Sequence, residues 1–153
     1  MNTETNRVAG LIEKTFEKHP WYGPSIMEIL GEISEDQASL RVGQTHSILE
    51  LVLHMTSWRI FATRRLQGDN EFEVDEKSNF PTAGKWKEAV AKLKESQTEL
   101  LVAARAFPDE KLGDLVPSKV HKYTYYTLLH GIGHHDIYHL GQIQLIKKSA
   151  QSE

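Results

Sequence analysis

The chain contains no cysteine among its 153 residues. That absence excludes disulfides, thiolate zinc sites, iron–sulfur clusters and a cysteine nucleophile. Any metal must be held by His, Asp or Glu, and any thiol chemistry needs a thiol from outside. Long apolar runs are also missing. No stretch approaches the roughly 20 residues that cross a bilayer. The opening segment Met1-Asn2-Thr3-Glu4-Thr5-Asn6 is polar and acidic. Neither a signal peptide nor a membrane segment is expected there, and a cytoplasmic location follows by default. Excess charge of one sign is lacking too: 18 Lys and Arg face 21 Asp and Glu. A nucleic-acid binder normally shows a basic stripe. Lys85, Lys87, Lys92 and Lys94 cluster, but Glu88, Glu95 and Glu99 are interleaved, as on a solvated helix face. There is no internal repeat, low-complexity tract or sustained heptad pattern. The length and even composition lead us to expect one domain over residues 1–153.

Apolar residues recur at helical spacing in four long stretches. The first runs from about Thr3 to Lys18, with Val8, Leu11, Ile12 and Phe16 on one stripe, and His19-Pro20 ends it. A turn at Trp21–Pro24 leads to a short helix near Pro24–Leu30, and Ser34-Glu35-Asp36-Gln37 matches a capping box. The second long helix is expected over Gly43–Leu66, with Ile48, Leu51, Met55, Trp58, Ala62 and Leu66 on one side. Residues 69–81 read as a loop with a brief extended piece at Glu71–Val74. Thr82 is positioned to cap the third long helix, which reaches Ala106 and buries Trp86, Val90, Leu93, Leu100 and Ala104. A loop holding Gly113 and Pro117 precedes the last helix, Thr124–Lys148. Four long amphipathic helices imply an all-α four-helix bundle.

Eight histidines are present, and four fall between 130 and 139. On the last helix Leu128, Ile132, His135, His139, Ile143 and Ile146 form one stripe. It is the apolar stripe, so His135 and His139 point inward, one turn apart. On the second long helix His54 shares a face with Leu51, Met55, Trp58 and Ala62. Three neutral imidazoles suit zinc, nickel, copper or iron and leave a position open for water or substrate. The plainer alternative is a hydrogen-bonded core residue, which is the commoner fate of a lone inward histidine. His130 and His134 form a second pair, rotated from the first, on a boundary face. His19, His46 and His121 read as solvated. His135-Asp136-x-x-His139 resembles a zinc-protease helix, but with Asp where that chemistry uses Glu as base, and it is set aside. Asp136 reads as a surface residue or as a hydrogen-bonding partner behind a ligand histidine. Trp58, Tyr138 and Gln142 are candidates to line a substrate pocket; interhelix packing explains Trp58 and Tyr138 equally well.

The segment from Tyr123-Thr124 through His130-Gly131-Ile132 to His134-His135-Asp136-Ile137-Tyr138-His139-Leu140-Gly141-Gln142-Ile143 resembles the C-terminal signature of the DinB/YfiT-like superfamily. Ile48–Trp58, with His54 inside it, resembles that family's second-helix motif. The resemblance implies an up-down-down-up bundle with a divalent metal, commonly zinc or nickel, held by His54, His135 and His139 at one end. It also implies a homodimer. Relatives of this kind include transferases and isomerases that use a low-molecular-weight thiol such as bacillithiol, mycothiol or glutathione. The leading expectation is a metal-dependent thiol S-transferase of the detoxification type, acting on a small electrophile, with no nucleic-acid or membrane partner. The alternatives are a metal-dependent hydrolase, for which no inward Glu or Asp is visible near the histidines, and a non-catalytic metal-binding stress-response protein.

Overall fold

Helix starts in this chain are fixed by side chains that accept the N–H groups left over in a first turn. The computed structural model describes residues 3–150; Met1, Asn2 and residues 151–153 lie outside the described residues. Thr3 caps α1 (Glu4–Glu17) and Ser25 caps α2 (Ile26–Gly31). Ser34 opens the single turn α3 (Glu35–Ala38), as the capping box suggests. Ser47 caps α4 (Ile48–Leu66), Asp75 caps the single turn α5 (Glu76–Asn79), and Thr124 caps α7 (Tyr125–Ser149). Only α6 (Trp86–Ala106) starts without a local cap. Its first N–H, on Trp86, donates to the Glu35 carboxylate of α3 at 3.0 Å. A 3-10 turn at Asp109–Lys111 follows α6.

Two expected boundaries are corrected. The second long helix begins at Ile48 rather than Gly43, because Gly43 is left-handed at φ 58° and Ser47 with Glu50 forms a complete capping box. The third begins at Trp86 rather than Thr82, because its cap comes from Glu35 across the fold. The extended piece expected at 71–74 forms no strand; the segment is irregular and turns helical only at α5.

The four long helices form an all-α bundle, and their contacts give its directions. The N–H groups of Glu4 and Thr5, at the start of α1, donate to Asp109 just past the end of α6, so these helices are antiparallel. The Tyr125 hydroxyl, at the start of α7, donates to the Arg65 carbonyl at the end of α4. Arg59 in mid-α4 bonds Gln97 in mid-α6, while α3 packs on the beginnings of both helices, which therefore run parallel. The result is up-down-down-up, and residues 67–85 form the long crossover between the two parallel helices. No helix among the described residues is long and apolar enough to cross a membrane.

The core has two apolar clusters stacked along the bundle. One holds Phe16, Met55, Leu93 and Ile143; the other holds Val8, Ala62, Leu100 and Leu129. Between them lies a polar layer. The Arg59 guanidinium donates to both oxygens of Asp136 at 2.7 and 2.6 Å and to Gln97 at 3.2 Å, and it lies over the Phe16 ring. Arg59 thus touches α1, α6 and α7 at once. Both partners of the ion pair are 0 % exposed. Asp136 is therefore not the surface residue its charge suggested. Burial pushes its carboxyl up, to about 6, while Arg59 pulls it back toward ionisation.

Glu50 gives a pH-dependent test of the α4 cap. Its carboxylate accepts the Ser47 N–H at 2.7 Å and the Arg41 guanidinium at 2.8 Å. Burial works against the ionised form, but these donors outweigh it and hold the pKa below the ordinary value. A folded pKa below the unfolded one adds stability above about pH 4.3 that is lost as pH falls through the folded value. Glu50→Gln is expected to destabilise the protein by about 1–2 kcal/mol at pH 7. Urea midpoints of variant and wild type should converge below pH 4. A gap that persists unchanged in acid would exclude the carboxylate as its source.

Candidate metal centre

His54 stands in the second turn of α4, on the side that faces α7. His135 and His139 lie one turn apart on α7, with ring centroids 4.4 Å apart. The Nε2 of His135 is 3.0 Å from that of His54 and 3.1 Å from that of His139. The three candidate ligand atoms all fall within 4.8 Å of one another, and they are the one such group of metal-binding side chains among the described residues. His54 and His139 are buried; His135 is half-buried.

The opposite ring nitrogens decide which protons are available. His54 Nδ1 is 2.6 Å from the Asn79 carbonyl, which can only accept, so the proton sits on Nδ1 and Nε2 carries a lone pair. His139 Nδ1 donates in the same way to the Gln142 side-chain oxygen at 2.6 Å. Two lone pairs therefore point at His135 Nε2. A single proton there serves one neighbour and leaves the other nitrogen without a donor. His135 Nδ1 is itself buried with no partner. A cation meeting three lone pairs removes this conflict. Nitrogens about 2.0–2.1 Å from a tetrahedral zinc ion lie roughly 3.3 Å apart, close to the two spacings at His135 Nε2. Burial drives the His54 imidazole down to about 4 and the His135 imidazole to about 3, and it lowers His139 as well. All three rings are neutral at physiological pH, the state that binds metal.

The rings are held from behind. Asn79 ends α5, and its carbonyl is free for His54 because a helix end leaves such groups unpaired. The Asn79 side-chain oxygen accepts the Trp58 indole N–H at 3.0 Å. Phe80 is stacked between His54 and His46, at 3.9 and 3.7 Å with planes 4° apart. His46 is thus half-exposed at the rim and not simply solvated. Asn79 and Phe80 carried no sequence signal, since a backbone carbonyl and a loop aromatic match no motif.

The other expected residues fall in different places. Trp58 lines a cavity of about 470 Å³ that reaches His135. Gln142 is taken up by His139. Tyr138 is 66 % exposed, meets the His139 ring edge-on, and does not line that cavity. His130 and His134 line a separate groove between α1 and α7. Asp136 makes its hydrogen bonds to Arg59 and none to a triad ring.

The sequence profile of the DinB superfamily matches residues 24–143. The fold is similar to the crystal structure of a DinB-like protein, YjoA, from Bacillus subtilis. The TM-score is 0.68 at 19 % identity, over 95 % of this chain and 92 % of that one. No curated protein sequence matches significantly.

Proposed function

The chain belongs to the DinB superfamily, and from that premise we propose a divalent-metal-dependent thiol S-transferase of the detoxification type. It forms a carbon–sulfur bond between an external low-molecular-weight thiol and a small electrophile, and the leaving group departs with the electron pair of the bond that breaks. The observation that carries this reading is the convergence of three Nε2 atoms, on His54, His135 and His139, without enough protons to satisfy them. These residues hold zinc or nickel. A divalent cation there supplies one thing, a lowered pKa for a thiol that binds it.

The chain's own residues do the rest. Asn79 and Gln142 fix the tautomers of His54 and His139. Phe80 packs flat against His54 and closes that flank. The lack of cysteine leaves the ligand position to a thiol from outside. Hydrolysis is disfavoured because it needs a base near the histidines: Asp136, the acid next to His135, is committed to Arg59 through both oxygens, and Glu73, on the cavity that reaches His135, is paired with Arg65.

The test is conjugation of 1-chloro-2,4-dinitrobenzene by zinc- or nickel-loaded protein, with bacillithiol, mycothiol or glutathione, against a no-thiol control. Turnover is expected only with a thiol, and none with His139→Ala. Equal product without thiol would mean hydrolysis. No product above buffer with any of the three thiols would sink the transferase reading.

A further inference from the structure

The cavity that reaches His135 is walled by four parts of the chain, one of them the crossover with Glu73 and Val74. Trp58 and Phe61 come from α4, Val120 and Tyr123 from the loop before α7, and Leu128 and Ile132 from α7. Its volume, about 470 Å³, lies within the range of small-molecule pockets. A cavity of about 150 Å³ accepts benzene, so this one has room for roughly two fused or linked rings. Its walls are mainly apolar and aromatic, with Ser118, His121 and Thr127 also lining it, and it meets the triad at the His135 ring.

Charge at the cavity is one-sided. Glu73 lies on its wall, and no Lys or Arg lines it. The nearby cation, Arg65, is 1 % exposed and already used. It donates to Glu73 at 2.8 Å, to the Pro117 carbonyl at 3.0 Å and to the Asp69 carbonyl at 2.8 Å. Arg65 therefore ties the crossover and the 117–123 loop together as walls, and its burial keeps it from a ligand anion. Apart from an ion held by the histidines, an anionic ligand would meet the Glu73 carboxylate, itself paired with Arg65, and no free Lys or Arg.

The floor is Gly131, one turn before His135 on α7. Glycine in a helix interior costs about 1 kcal/mol relative to alanine. Nothing in the packing requires it, since a Cβ built there meets no atom within 4 Å. What the missing side chain leaves is room in the cavity beside the His135 ring.

We propose that this cavity is the electrophile subsite, that it selects neutral aromatic molecules over anionic ones, and that Gly131 keeps its floor open. The proposal rests on the metal-centre reading above for the reaction, but the binding itself needs no ion. The probes are N-phenyl-1-naphthylamine, which is neutral, and 1-anilinonaphthalene-8-sulfonate, which has the same rings with an added sulfonate. Fluorescence titration of the full chain is expected to show the neutral probe binding at least tenfold more tightly. Gly131→Leu should weaken it tenfold or more while zinc content stays at the wild-type level. Gly131→Ala, a favourable helix substitution, should weaken it to a lesser degree and raise the thermal midpoint. If Gly131→Leu misfolds, the Gly131→Ala result decides alone. Equal affinity for the two probes would overturn the charge selectivity. Neutral-probe binding unchanged in both Gly131 variants would place the ligand elsewhere, as in the α1–α7 groove, and overturn the subsite. If the expected pattern appears in a protein that never takes up metal, the metal reading fails and the subsite stands.

Discussion

His54→Ala, His135→Ala and His139→Ala are each expected to purify without metal, where the wild type is expected to carry about one zinc or nickel per chain. Each substitution removes one of three converging nitrogens. The remaining pair supplies two protein ligands where an open divalent site uses three, too few to keep the ion through purification. Gln142→Leu should keep the ligands but free the His139 ring, weakening metal binding about 10–100-fold. Mass spectrometry on tag-free protein, with a zinc titration for Gln142→Leu, reads both effects. A histidine variant that keeps full metal would remove that residue from the ligand set. Wild-type protein that stays metal-free after reconstitution would leave the three rings without the role assigned to them.

Arg59→Met is expected to cost about 3–5 kcal/mol, because it strands the Asp136 carboxylate in a fully buried position. For a chain of this size that is a fall in thermal midpoint of roughly 10 °C. The double variant Arg59→Met with Asp136→Leu should recover most of the loss, since a hydrophobic pair of similar volume avoids the desolvation of both charges. Urea unfolding of the two variants gives the comparison. A single variant within about 1 kcal/mol of wild type would show that the polar layer contributes little. A double variant as unstable as the single one would mean that shape, not charge, fixes the layer.

The centres of the four long helices were readable in the sequence, and their ends were less so. Stripes such as Leu51, Met55 and Ala62 repeat with the helical period because one face is buried, and that information is local. The start of α6 is not local, because Glu35, 51 positions earlier, supplies the cap. The same division holds at the site. His54, His135 and His139 were legible because inward faces can be read from their apolar neighbours. Asn79 was not, because it contributes a carbonyl that every residue has. Asp136 was misplaced because α7 is buried on more than the histidine side, and its partner Arg59 is 77 positions away. A charge is normally read as facing water, and only the tertiary pairing reverses that.

The crossover between α4 and α6 has little regular hydrogen bonding of its own; apart from the α5 turn it is irregular. It is fastened by side chains that also serve the site: Arg65 on Glu73, Trp58 on Asn79, and His54 on both the Asn79 carbonyl and the Phe80 ring. The order of this segment and the occupancy of the histidines are therefore linked functions of state. Whatever immobilises the His54 ring also slows local opening of residues 69–81, and whatever loosens that segment raises the apparent dissociation constant of the ion. The crossover is thus expected to act as a latch, with protease sensitivity and amide exchange there following metal saturation.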